Sequence, residues 1–283
     1  MNEIISVQSS VAYGYVGNRV AVFALETLGF PVIQINTVQF STHAGYKHFS
    51  GEIFSAEHIE ALFNSLGYLG LLQNSSALLS GYLGNVDIGD VLLQQVKKLK
   101  EGNTKFIYCC DPVMGDTPHG LYVKPEIADF YKNYALHEAD ILIPNHFEAC
   151  YLSGRSIENE HDAKKVVEIL HNKGPKIILI TSFKASNENN IGFFLSDGNQ
   201  YAVLETPRIY FSNTPHGTGD LVSSLFLGHY LVNRDIFTSL EYTANTVYEI
   251  LTLTKHMEAQ ELLVVKGNDM IKFPKLQFKI SML

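Results

Sequence analysis

Short apolar runs alternate along this chain with longer stretches in which apolar residues recur every three or four positions. The short runs include Ile4-Ile5-Ser6-Val7, Pro31-Val32-Ile33-Gln34-Ile35, Ala77-Leu78-Leu79-Ser80 and Phe106-Ile107-Tyr108-Cys109-Cys110. Asp140-Ile141-Leu142-Ile143 and Lys176-Ile177-Ile178-Leu179-Ile180 follow. Their length, composition and flanking turn residues predict strands, and the continuously apolar ones suit a sheet covered on both faces. The longer stretches predict helices. One runs through Ala21, Leu25 and Leu28 and stops at Gly29, and another runs from a Ser55 cap to Leu66. Others cover Ile88 to Lys100, Pro125 to Ala135, Asp162 to Leu170, Gly217 to Val232 and about Phe237 to His256. Ile191 to Leu195 and Tyr201 to Glu205 flank Asp197-Gly198 and predict a hairpin. The alternation predicts an α/β fold: a mostly parallel central sheet flanked by helices on both faces, in a single domain over residues 1–283.

The same pattern says where chemistry can gather. Open α/β sheets bind ligands outside the carboxyl ends of their strands. At those ends stand Ser9, Tyr82 in a Gly-flanked turn, Asp111 and Asp116 around a Pro/Gly turn, Asn145 and Glu148, and Thr181-Ser182. Each has a structural alternative: a turn serine, a packing tyrosine, turn-forming aspartates, and an Asn145–Glu148 capping box. Asp111 and Asp116 also suit Mg²⁺ held beside a phosphate, because that ion takes one or two carboxylates and keeps waters and phosphate oxygens. Thr117 to Tyr122 reads as a mobile loop able to cover phosphates. Gly14 and Gly17 lack the third glycine of the dinucleotide fingerprint.

The stretch with most chemical content is Thr214-Pro215-His216-Gly217-Thr218-Gly219-Asp220, leading into Leu221-Val222-Ser223-Ser224-Leu225. Glycines admit close backbone approach, and the free amides at a helix start favour an anion. Asp220 is then either an ordinary helix cap or a proton acceptor beside a phosphate pocket. A helix N-terminus should lower its pKa.

Bulk properties narrow the classes. A net charge of −8 argues against a nucleic-acid or anionic-membrane surface, and leaves a nucleotide open. No apolar run approaches the ~20 residues of a membrane span. The N-terminal Met1-Asn2-Glu3-Ile4-Ile5 has no signal-peptide pattern. Three cysteines, Cys109, Cys110 and Cys150, suit neither a zinc site nor a disulfide framework and read as buried thiols in a reducing cytoplasm. His43 and His48 have no Cys or carboxylate at metal-ligand spacing.

In order along the chain, these segments resemble the ribokinase-like small-molecule kinases, and among them the pyridoxal kinases. The resemblance rests on Gly217-Thr218-Gly219-Asp220, Asn145-xx-Glu148, Tyr13-Gly14-Tyr15-Val16-Gly17-Asn18 and Thr37-Val38-Gln39-Phe40-Ser41. Ser80-Gly81-Tyr82-Leu83-Gly84 and Cys110-Asp111-Pro112-Val113-Met114-Gly115-Asp116 extend it. It implies ATP-dependent phosphorylation of the 5′-hydroxymethyl group of pyridoxal, pyridoxine or pyridoxamine. By motif, Asp220 is the expected base, with the amides of Gly217, Thr218 and Gly219 as the anion hole. Ser9, Ala44, Tyr82 and Asp220 are expected to contact substrate. Asp111, Ile143 through its main chain, Glu148, Thr181 and Ser182 are expected at ATP, and Asp111, Asp116 and Glu148 at Mg²⁺. The resemblance further implies a homodimer, often with a monovalent cation assisting.

Two departures matter. Many members have Thr where this chain has Ala44, and the lost hydrogen bond is worth ~1 kcal/mol net. His216 directly before the glycine run has no explanation in the sequence. The alternatives are a hydroxymethylpyrimidine kinase of thiamin synthesis, and a non-catalytic pyridoxal-binding protein. Asp111, Glu148 and Asp220 speak against the second, since binding alone needs no proton acceptor beside a phosphate pocket.

Overall fold

A computed structural model describes residues 2–184 and 187–283. The first half of the chain runs β1 (Ile4–Val11), α1 (Asn18–Thr27), β2 (Val32–Phe40), β3 (Gly51–Ile53), α2 (Ala56–Tyr68), β4 (Ala77–Ser80), α3 (Val86–Gly102) and β5 (Ile107–Cys110). A small pair, β6 (Gly115–Asp116) and β7 (Gly120–Leu121), follows. Next come α4 (Pro125–Phe130), a π-helical turn over Tyr131–Ala135, α5 (Leu136–Glu138), β8 (Ile141–Leu142), α6 (His146–Ser153) and α7 (Glu160–His171). The last part comprises β9 (Ile177–Phe183), β10 (Asn190–Ser196), β11 (Tyr201–Pro207), α8 (Thr218–Asn233), α9 (Ile236–His256), α10 (Asn268–Lys272) and β12 (Ser281–Met282).

Among the described residues ten strands form one sheet, in the order β12-β11-β10-β9-β8-β5-β4-β1-β2-β3. The six from β9 to β2 are parallel, and the strands outside them pair antiparallel. This is the mostly parallel α/β sheet read from the sequence. Side chains alternate across it, as a pleated strand requires. Ile5, Val7, Leu78, Cys110, Leu142, Ile178 and Ile180 face a core shared with α2, α3, α4, α6 and α7. Ile4, Ala77, Leu79, Cys109, Ile141, Ile143, Ile177 and Leu179 face a second core under α1, α8, α9 and α10. Both faces are therefore dry, which is why the strands read as unbroken apolar runs.

Some local readings need correction. The Pro125 to Ala135 helix changes to π-helical hydrogen bonding at Tyr131. The Thr117 to Tyr122 loop carries a strand, because Gly115 and Asp116 pair with Leu121 and Gly120. Two edges of the sheet, β3 and the two-residue β12, are too short to show in the pattern. Cys109 and Cys110 are buried free thiols, but Cys150 lies on α6 only partly covered. Among the described residues no helix is long and apolar enough to cross a membrane.

Candidate active site

The parallel strands deliver their polar residues to one edge of the sheet. Ser9 stands within β1 at a register irregularity between Gln8 and Ser10 in the pairing with β2. Such an irregularity re-aims a side chain. A Cβ on Gly17 would overlap the Ser9 carbonyl and hydroxyl, so the loop before α1 lies directly on Ser9. Tyr82 is half-buried in the turn after β4, and burial raises its phenol pKa. The Thr37 hydroxyl anchors that turn by donating to the Tyr82 carbonyl at 2.7 Å. Ala44 is exposed in the turn after β2.

Asp111 directly follows β5 and is buried. The Ser223 hydroxyl, on the second turn of α8, donates to Asp111 Oδ2 at 2.8 Å. Glu148 is also buried, on the first turn of α6. Of the roles read for it, the capping one is present in the geometry. Asn145 and Glu148 form a reciprocal capping box, with Asn145 N to Glu148 Oε2 at 2.8 Å and Glu148 N to Asn145 Oδ1 at 2.9 Å. Its other oxygen, Oε1, accepts from Met114 N at 2.9 Å, so the carboxylate also pins the turn that follows Asp111. The Asn145 amide donates to the Gly115 carbonyl at 2.7 Å and closes the link.

Asp220 sits on the first turn of α8. Its Oδ2 accepts from Gly17 N at 2.8 Å, which joins the α8 start to the loop after β1. Gly217 caps that helix at φ +89, a left-handed conformation costly for any residue with a Cβ. A Cβ there would also overlap the Tyr15 carbonyl oxygen. No side chain caps α8, and among the described residues no hydrogen bond reaches the amides of Gly217, Thr218 or Gly219. These donors are left for a ligand.

The electrostatics match that geometry. Burial raises Asp111 well above the usual carboxylate range; Glu148 and Asp220 add to the rise and the Ser223 bond opposes it. Burial pushes Glu148 up to about 8 against the pull of three backbone amides. Asp220 is pushed up to about 6 by burial, with the Gly17 amide opposing. The sequence expectation for Asp220 had the opposite sign, and the reason is its burial. No ion pair among the described residues involves any of the three. Crowded, buried carboxyls with raised pKa values and no protein cation beside them can give up their protons to a cation brought with a ligand. The set is not a ready-made cage: no three His, Cys, Asp or Glu side chains among the described residues can hold a metal by themselves.

The remaining expected residues are less tightly built in. Asp116 is half exposed and pairs with His119 Nδ1 at 3.0 Å. Ile143 is buried in the core, and its amide donates to the Cys110 carbonyl at 2.9 Å. Thr181 bridges to Asn145 across the edge of β9, and Ser182 is held at φ +52. The sequence reading passed over Ser223, although its three-residue offset from Asp220 puts both on one helix face. It also named Tyr122 only as the end of a loop. The Tyr122 amide donates to the Met114 carbonyl at 3.0 Å, in the turn that Glu148 pins, although the tyrosine side chain stays largely exposed.

Comparison with known proteins gives the class of the chain. The family model described as phosphomethylpyrimidine kinase matches residues 25–264, which makes the class a small-molecule kinase. Pyridoxal kinase PdxY of Rubrobacter xylanophilus is 36% identical over 98% of this chain and 96% of its own. The same-named protein of Granulibacter bethesdensis is 36% identical over 97% of this chain and 98% of its own. The pyridoxal kinase of Leishmania donovani in complex with ADP and pyridoxamine superposes with a TM-score of 0.92, at 27% identity and full coverage of both chains. The chain belongs to the pyridoxal kinase family.

Proposed function

We propose that this protein transfers the γ-phosphoryl group of ATP to the 5′-hydroxymethyl group of pyridoxal, and to that of pyridoxine or pyridoxamine. The observation that carries this reading is the open start of α8: three unpaired amides with Asp220 beside them, its carboxylate held by Gly17 N at 2.8 Å. The solved relatives support it. The Leishmania donovani enzyme is described with ADP and pyridoxamine, and the Plasmodium falciparum one with AMP-PNP and PL.

The residues divide the work. The amides of Gly217, Thr218 and Gly219 stabilise the charge that builds on the transferring group. Asp220 orients the substrate hydroxyl and takes its proton as the hydroxyl oxygen bonds to phosphorus and ADP departs. A pKa near 6 leaves Asp220 ionised at neutral pH yet more basic than a free aspartate. Ser9, Tyr82 and Ala44 bound the substrate ring. Asp111, Glu148 and the half-exposed Asp116 would hold Mg²⁺ with ATP, while Thr181, Ser182 and the main chain of Ile143 line the nucleotide side. When bound, Mg²⁺ neutralises phosphate charge and aligns the groups in line. The single domain over 1–283 is supported by one sheet that takes in both β1 and β12. The homodimer, an assisting monovalent cation and the cytoplasmic setting rest on the family resemblance.

A coupled assay with ATP and each vitamer, with hydroxymethylpyrimidine alongside, tests the proposal. The expected result is ADP release and a phosphate ester with the vitamers. Turnover with the pyrimidine alone would assign the thiamin-precursor reaction, which the pyridoxal kinase relatives do not favour. Turnover with neither would leave a binding protein.

A further inference from the structure

Away from the strand-end carboxylates, one buried acid joins three stretches that are remote in sequence. Glu261 lies between α9 and α10 and is 7% exposed. Its Oε1 accepts from the Tyr46 hydroxyl at 2.6 Å and stands 3.5 Å from His43 Nε2. Its Oε2 accepts from Tyr15 N at 3.3 Å. The His43 ring stacks on His216, with centroids 4.1 Å apart and planes inclined by 32°. Gly45 is pinched beside both rings, since a Cβ there would lie 2.8 Å from His216 Nε2 and 2.9 Å from His43 Nδ1. So the loop after β1 and the turn after β2 converge on a single carboxylate, and the residue before Gly217 joins them through the His43 ring. This gives His216 the account that the sequence lacked.

The shifts of Tyr46 and His43 reflect the same contacts. The bond to Glu261 is the largest cause pushing the Tyr46 phenol up to about 12, so the proton stays on Tyr46. Burial and then His216 lower the His43 imidazole, and Glu261 opposes them. A buried carboxylate is stable only with such partners, and they fix it in one place.

What Glu261 holds bears on the reaction. Tyr15, bonded to it, presses its carbonyl against Gly217. Two residues further on, Gly17 N holds Asp220 at 2.8 Å. Tyr46 and His43 flank Ala44 on the acceptor side. Among the described residues no hydrogen bond or ion pair joins Glu261 to Asp111, Glu148, Thr181 or Ser182.

We infer that Glu261 is a positioning residue for phosphoryl transfer: it fixes the loop that holds Asp220 and the turn that carries Ala44, and so governs the acceptor side of the site. The inference rests on the roles proposed above for Asp220 and Ala44.

The test is steady-state kinetics on full-length Glu261→Ala, Glu261→Gln and Tyr46→Phe, varying pyridoxal and ATP separately, with thermal melts as a check on folding. Loss of hydrogen bonds to a charged group should lower kcat/KM for pyridoxal by about 10- to 100-fold in Glu261→Ala, with the KM for ATP within about twofold. Glu261→Gln keeps an acceptor for Tyr15 N and can donate to the Tyr46 oxygen, so it should return to within about fivefold of the parent. Tyr46→Phe removes one hydroxyl and decides the matter if Glu261→Ala does not fold; it should raise the pyridoxal KM about three- to tenfold and leave that for ATP alone. Pyridoxal and ATP constants that move in parallel, or kinetics that do not move in the folded variants, would overturn the inference. A parent enzyme that phosphorylates no vitamer would overturn the function itself, whereas an active parent with unmoved variants overturns only the role of Glu261.

Discussion

At the start of α6, Asn145 caps the helix in extended conformation, and Glu148 returns the bond to the Asn145 amide. At the start of α8, Gly217 caps in left-handed conformation and no side chain reaches the free amides. Both helices begin at the same edge of the sheet and both carry an acid in the first turn, Glu148 or Asp220. In α6 side chains pair the amides of Asn145 and Glu148, and the acid is tied to Met114 and Asn145. In α8 the donors stay open and the acid is held by a loop from elsewhere, through Gly17. A helix start that satisfies itself is a joint; one left unsatisfied is a place for a ligand. The charge of an anion is welcome only at the second.

The largest effect should come from Asp220→Asn. Asparagine still accepts from Gly17 N but takes no proton, so kcat should fall ~10²- to 10⁴-fold with pyridoxal binding and melting temperature near those of the parent. Near-normal turnover would make α8 a mere capped helix. Gly217→Ala comes next, since its Cβ overlaps the Tyr15 carbonyl and its φ is +89. Displacing the amides should lower kcat by about 10². An alanine enzyme with unchanged kcat would show that the open amides do not matter.

The pH profile follows in size. With Asp220 at about 6, protonation disables the base below that value, and one pH unit lower kcat/KM should be about a tenth of its plateau. The limb should vanish in what activity Asp220→Asn retains. Glu148 shows the opposite face of the same physics. Its pKa of about 8 exceeds the ordinary 4.5, so the folded ligand-free protein holds a proton that the unfolded chain has lost. Fewer protons on the unfolded state means stability falls as pH rises between those values. The melting temperature without ligands should drop from pH 5 to pH 8, and Glu148→Gln should flatten that slope.

Smaller still is Asn145→Ala, which loses a cap and the bond to Gly115 and should cost about 1 kcal/mol of stability, with kcat down less than tenfold. A larger kinetic than thermal loss would show that α6 is more than a joint. At its far end, Gly154 has φ +73 with nothing within 4 Å of a Cβ. Gly154→Ala should cost about 1 kcal/mol from backbone strain alone, seen as a slightly lower melting temperature with unchanged kinetics.

Much of this was legible in the sequence because it is written locally. The two-residue alternation of Leu78 and Leu79, or of Ile178 and Leu179, sorts side chains to opposite cores. Strand ends and helix starts also announce themselves, so Asp111, Glu148 and Asp220 could be placed at one edge. What escaped lies outside local pattern. The sign of the Asp220 shift depends on how deeply the finished fold desolvates it. Glu261 reaches Tyr46 across 215 residues and Tyr15 across 246, from an irregular segment with no period to read. The pairing of β3 and β12 involves so few residues that no repeat can show it.

The long reach of Glu261 has a consequence in the order of synthesis. The ribosome makes β1 and the Gly14–Gly17 loop early, but the carboxylate that anchors this loop comes after α9. Early-made segments can settle first, while contacts of large sequence separation must wait. A growing chain that already holds Asp111, Glu148 and Asp220 therefore still lacks the anchor of its acceptor rim, which arrives only as α9 is left behind.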